Sequence, residues 1–126
     1  MKTIRLPVPP SVNQAFANNK SGRGKGRYKT RSYKAWERLA DGWAMEAGLF
    51  RHGVHPLVPG PATLVLRLPV TMRGDVSNRI KCCEDWLVDR GFLELDDRHN
   101  QSVTSMRDPR LGRVDWCEID IAEATA

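Results

Sequence analysis

No aspartate or glutamate occurs among the first 36 residues of this 126-residue chain, although 15 acidic residues occupy the rest. Long hydrophobic runs are missing too. The richest, 61–70, is broken by Arg67 and Pro69, whereas a membrane-crossing helix needs about 20 apolar residues. The opening MKTIRLPVPP has no apolar core of the kind a secretory signal needs, so a cytoplasmic protein is expected. Cysteine is scarce. Cys82, Cys83 and Cys117 form no CxxC pair and no spaced Cys/His set, which argues against structural zinc and against a disulfide framework. Reduced thiols are the default expectation. Gly22, Gly24 and Gly26 alternate outside any strand-to-helix context, so no phosphate-binding loop is recognised.

What is present is lopsided charge. Residues 1–36 carry nine Lys and Arg, while the other 90 carry 11 basic and 15 acidic residues and sum to −4. A basic front suits a polyanion; an acidic back suits a cation or is a solvated surface. The length fits about one domain. Alternation predicts strands at 2–6, 63–70, 103–106 and 114–121. PVPPSVN (7–13) reads as an ordered loop. KSGRGKGRYKT (20–30) reads as a flexible basic loop or irregular hairpin, in which glycine lets backbone approach a ligand. Ser32 as N-cap and apolar residues from Tyr33 to Ala47 at spacings of three and four predict a helix ended by Gly48. Residues 75–89 predict a second helix, closed by Gly91. The expected fold is α+β: one domain over 1–126, with two main helices on a small mixed β-sheet.

The chemistry-bearing residues crowd into 73–101, RGDVSNRIKCCEDWLVDRGFLELDDRHNQ. Asp75 stands where a strand hands over to a helix. It reads either as a helix cap, worth about 1 kcal/mol, or as a ligand. Lys81 follows Ser77 by four, which places both on one helix face; it is a surface lysine or a phosphate-facing cation. Asp96–Asp97 precede a polar turn and read as turn residues or as partners for Asp75. Carboxylates that converge would repel. A hard cation such as Mg²⁺ removes the conflict, since it takes one or two carboxylates and keeps several waters. Lys81 would then face a phosphate oxygen. Together these parts point to metal-assisted phosphodiester hydrolysis. The competing reading is a non-catalytic nucleic-acid-binding module, with Tyr28, Tyr33 and Trp36 as stacking platforms; core packing at helical spacing is the preferred account of Trp36 and Trp43. A purely structural domain explains the charge asymmetry least well. His52 and His55 read as loop residues and His99 as a turn residue.

The order PPSVN, YKTRSYKAW, D-x-S-N-R-x-K and L-D-D-x-x-x-Q resembles the RusA family of Holliday-junction resolvases, from about Pro9 to Gln101. The resemblance implies a small homodimer of bacterial or phage origin that cuts four-way or other branched DNA with Mg²⁺ or Mn²⁺, acting in recombination and repair. It assigns catalysis to Asp75, Asp97 and Lys81, with Asn78 in support. Metal binding would fall to Asp75 and Asp97, assisted by Asp96 and Ser77. DNA contacts would come from Lys20, Arg23, Lys25, Arg27, Lys29, Arg31, Arg73 and Arg79. Ser77 departs from the commoner family pattern, which has a second aspartate there. A hydroxyl is a neutral, weaker ligand, so the alternative is a junction-binding protein that cuts weakly or not at all.

Overall fold

The computed structural model describes residues 1–18, 27–96, 99–100 and 102–124. In chain order the elements are β1 (Lys2–Pro7), α1 (Val12–Ala15), β2 (Phe16–Asn18), β3 (Arg27–Lys29), α2 (Arg31–Glu46), β4 (Ala62–Leu68), α3 (Ile80–Asp89), β5 (Ser102–Arg107) and β6 (Trp116–Glu123). Single 3₁₀ turns lie at Val76–Asn78 and Pro109–Leu111. The architecture is α+β, with a mixed four-stranded sheet in the order β1-β6-β4-β5. β6 runs antiparallel to both β1 and β4, and β5 runs parallel to β4. β2 and β3 form a separate antiparallel pair.

Strict alternation gives the sheet one dry face and one polar face. Ile4, Leu6, Leu64, Leu66, Leu68, Cys117, Ile119 and Ile121 are buried. The register sets Ile4 and Leu66 on either side of Ile119, and Leu64 opposite Ile121, so one continuous apolar layer forms. Burying each large aliphatic side chain contributes about 1.5–3 kcal/mol. α2 docks through Trp36, whose indole N–H donates to the Pro7 carbonyl at 2.8 Å. α3 docks on α2 through Trp86, which meets Trp36 edge-on and donates to Asp41 at 2.8 Å. Arg90 reaches across to Asp41 at 2.8 Å and to Glu37 at 3.5 Å. Trp36 is therefore core, and Tyr33 is buried as well. Among the aromatic residues of the binding-module reading, Tyr28 alone is exposed. The three cysteines are free and buried. Burial pushes the Cys82 thiol up to about 12.

Several elements differ in detail from expectation. PVPPSVN is not wholly loop: Ser11 and Gln14 form a reciprocal capping box that nucleates the one-turn α1. α2 is capped by Thr30 rather than Ser32, its hydroxyl accepting from the Tyr33 N–H. The buried stripe of α2 includes Glu37, whereas Leu39 is exposed. Glu37 tolerates burial because Lys29 and Arg90 pair with it. The predicted helix 75–89 is broken at Arg79 into a 3₁₀ turn and α3. Glycines 48 and 91 end their helices with positive φ, as predicted.

The outer face of the sheet is a closed ionic network. Arg67, only 14% exposed, pairs with Asp120 at 2.9 Å, Glu118 at 3.0 Å and Asp108 at 3.3 Å. Arg110, by its guanidinium and its backbone N–H, and Arg67 hold Asp108 down to about 2. Arg67, with help from Thr3, also lowers Asp120. Both folded-state values lie below the ordinary carboxylate value near 3.9. The network's contribution is therefore complete above about pH 4 and is lost as pH falls toward 2. Arg67→Met should accordingly lower the urea midpoint strongly at pH 7 and progressively less from pH 4 to pH 2. A pH-independent penalty in urea melts would contradict this assignment.

Candidate active site

The segment 72–76 joins β4 to the broken helix, and distant side chains hold it by its carbonyls. Arg107, at the end of β5, donates to the Met72 carbonyl at 3.3 Å and to that of Gly74 at 2.5 Å. Arg79 donates to the Arg73 carbonyl at 3.0 Å and to that of Pro9 at 2.8 Å. The Ser105 hydroxyl donates to the Val76 carbonyl at 2.8 Å. An uninterrupted helix would offer that last carbonyl to Ile80. Here it serves Ser105 and, at 3.3 Å, the Arg79 N–H, which tightens the turn to 3₁₀. That is why the helix breaks where periodicity predicts continuity.

Asp75 sits in the middle of this tethered segment. It occupies the N-cap position of the 3₁₀ turn with extended backbone, yet its carboxylate makes no capping hydrogen bond and is exposed. The capping account of Asp75 therefore lacks its defining contact. Ser77, two residues on, is exposed, and Asn78 is half-buried. The helix break means that Ser77 and Lys81 do not lie on one continuous helix, which corrects the single-face expectation.

Lys81 is half-exposed on α3, 3.0 Å from Asp85 and 3.7 Å from Glu84. Glu84 is buried, and its other oxygen accepts from the Asn100 amide at 2.6 Å. Through this link α3 is joined to the polar turn that begins at Asp96. The Asp96 carbonyl accepts the His99 N–H at 3.1 Å, and its carboxylate lies 3.7 Å from the His99 ring, so His99 is a turn residue as expected. Asp97 and Gln101 lie outside the described residues. Among the described residues no three His, Cys, Asp or Glu side chains gather as a metal-binding group. The accessible donors at 75 and 77 are hard oxygens, one charged and one neutral, which suits Mg²⁺ or Mn²⁺ rather than a soft metal.

The expected DNA-contacting cations fall into groups. Lys20, Arg23 and Lys25 lie outside the described residues, as does the side chain of Arg27. Lys29 is partly exposed, 3.2 Å from Glu37 and above the Tyr33 ring. Arg31 and Arg73 are exposed. Arg79 is turned inward as the clamp between Pro9 and Arg73, its Nε buried without a hydrogen-bond partner. α2 opens with Arg31 and Lys34 and no acid in its first turn, against the helix dipole. Arg107, Ser105, Glu84 and Asn100 are site residues that sequence reasoning missed. Only Glu84 left a trace, its spacing of three from Lys81 along a helix; the others act across 16 to 35 residues of chain.

The sequence matches no protein-family model and no curated protein.

Gly74 is the pivot of the tether. Its φ is +93°, and an added Cβ would lie 3.3 Å from an Arg79 guanidinium nitrogen. Gly74→Ala should destabilise the protein by roughly 1–3 kcal/mol. Gly42, inside α2 with open space around it, should gain about 0.5–1 kcal/mol on conversion to alanine. Equal shifts of the two variants in denaturant melts would contradict the strain at Gly74.

Proposed function

We propose that the protein is a divalent-metal-dependent endodeoxyribonuclease of the RusA type, acting on four-way junctions or related branched DNA. The observation that carries the reading is the exposed, uncapped Asp75 carboxylate, held on a backbone segment tethered by Arg107, Arg79 and Ser105. A carboxylate needed only as a cap would bond the backbone of its own turn. One presented outward on a braced loop suits a ligand or a reacting group. Asp75 and Asp97, with Ser77 and Asp96 beside them, would hold Mg²⁺ or Mn²⁺. Such a cation, when bound, supplies Lewis acidity to the scissile phosphate.

The chain's own residues do the remaining work. Lys81 balances negative charge that develops on a phosphate oxygen. Asn78, next to the helix break, supports the Asp75 turn. Cations of the 20–31 segment, with Arg73, bind the DNA backbone. The start of α2, capped by Thr30 but with Arg31 and Lys34 and no acid in its first turn, favours that partner, because these cations accept a dipole cost that acidic residues there would avoid. A homodimer in the cytoplasm of a bacterial or phage-infected cell completes the proposal. Among the described residues no helix is long and apolar enough to cross a membrane.

The test compares four-way, Y-shaped and linear DNA in Mg²⁺. The parent protein should cleave a branched substrate. Asp75→Asn and Asp97→Asn should each abolish cleavage yet bind the junction, because binding rests on cations. Retained cleavage in either variant removes that residue from the mechanism; binding without cleavage by the parent protein favours the non-catalytic alternative. Ser77→Asp should raise the metal concentration for half-maximal cleavage if the serine is a working part. A lower requirement with faster cleavage would mean the site lacks one ligand.

Replacing Lys25, Arg27 and Lys29 together should flatten the salt dependence of junction binding by roughly 0.9 per lost phosphate contact. An unchanged slope would place these side chains away from DNA.

A further inference from the structure

Glu84 has no part in the chemistry assigned above, yet it is a carboxylate only 8% exposed in the middle of α3. Burying a carboxylate is costly unless it is paired and hydrogen-bonded. Here one oxygen accepts from Asn100 at 2.6 Å and the other stands 3.7 Å from the Lys81 ammonium. Asn100 directly follows His99, whose N–H donates to the Asp96 carbonyl at 3.1 Å. Glu84 thus joins the helix that carries Lys81 to Asn100, one residue beyond the His99–Asp96 hydrogen bond.

We propose that Glu84 is a positioning residue, which sets where Lys81 stands relative to Asp96, His99 and Asn100 by gripping the lysine with one oxygen and Asn100 with the other. The inference rests on the nuclease reading. Asp85 lies nearer to Lys81, at 3.0 Å, but is more exposed, its side chain 33% against 10% for Glu84. Among the described residues Asp85 makes no hydrogen bond to the 96–100 turn. Asp85 therefore steadies the lysine along its own helix, whereas Glu84 couples it to a second element. Supporting residues of this kind typically shift activity by about 10–100-fold when removed, because small displacements of a reacting group are costly.

Single-turnover cleavage of a four-way junction provides the test, with junction affinity measured in Ca²⁺ and the Asn100 side-chain amide followed by NMR. Glu84→Gln keeps an acceptor of the same size for Asn100 but loses the charge facing Lys81. It should slow cleavage about 10-fold, leave junction affinity within about twofold, and shift the Asn100 amide resonances. Glu84→Ala, which loses both contacts, should slow cleavage further, toward 100-fold. In a Lys81→Gln background, Glu84→Gln should add little, because the two act through one contact.

Full additivity of the two substitutions, or unchanged cleavage in Glu84→Gln, would overturn the inference. A loss in Asp85→Asn as large as that in Glu84→Gln would overturn it too, since pairing along the helix would then suffice. If the parent protein cleaves no branched DNA with Mg²⁺ or Mn²⁺, the nuclease reading fails and takes this inference with it. If the parent cleaves and the Glu84 variants match it, only the inference fails.

Discussion

Between β4 and α3 the backbone carbonyls of Met72, Arg73, Gly74 and Val76 are held by Arg107, Arg79 and Ser105. The candidate site depends on this tether more than on any regular element. It converts a short connection into a braced platform and ends the 3₁₀ turn before α3 starts. Through the second hydrogen bond of Arg79 it also fixes the N-terminal Pro9 segment against the same platform. Asp75 needs no cap because the tether already determines its backbone. A carboxylate freed from structural duty can face solvent and ligand.

The two faces of the sheet divide labour in the same way. The dry face binds α2 and α3 and needs no charge. The polar face gathers Arg67, Asp108, Glu118 and Asp120 into one network, joined by Arg5 and Arg110, so these three carboxylates are paired rather than left as a general acidic surface. Asp75 stays outside that network. Many of the acids are structural, and the front's Lys29 is itself joined to Glu37.

Much of this architecture was legible in the amino-acid order. β1, β4 and β6 follow from alternation, and the glycine stops of α2 and α3 follow from their positions after apolar stripes. The break at Arg79 was not legible, because its cause is tertiary: Ser105 engages a helix carbonyl from 29 residues away, and Pro9 captures the guanidinium from 70. Leu39 and Glu37 exchanged expected places on α2 for a similar reason, since Lys29 and Arg90 make the glutamate's burial tolerable. At the site, Asp75 was visible as an acid at a strand-to-helix junction, but whether it caps could be decided only by geometry. Glu84 shows in the sequence only as an acid three residues from Lys81, because its bond with Asn100, 16 residues on, is tertiary. Asp97 lies outside the described residues, so its pairing with Asp75 rests on the sequence.

If the nuclease proposal holds, Asp75 shares one divalent cation with Asp96 and Asp97. Paramagnetic broadening of backbone amides by substoichiometric Mn²⁺ tests it most directly, because the effect reports proximity to the bound ion without requiring cleavage. Selective broadening of residues 75–77 together with 96–97, abolished by Asp75→Asn, is the expected result. Broadening centred instead on Asp85 and Asp89, or on neither segment, would contradict it.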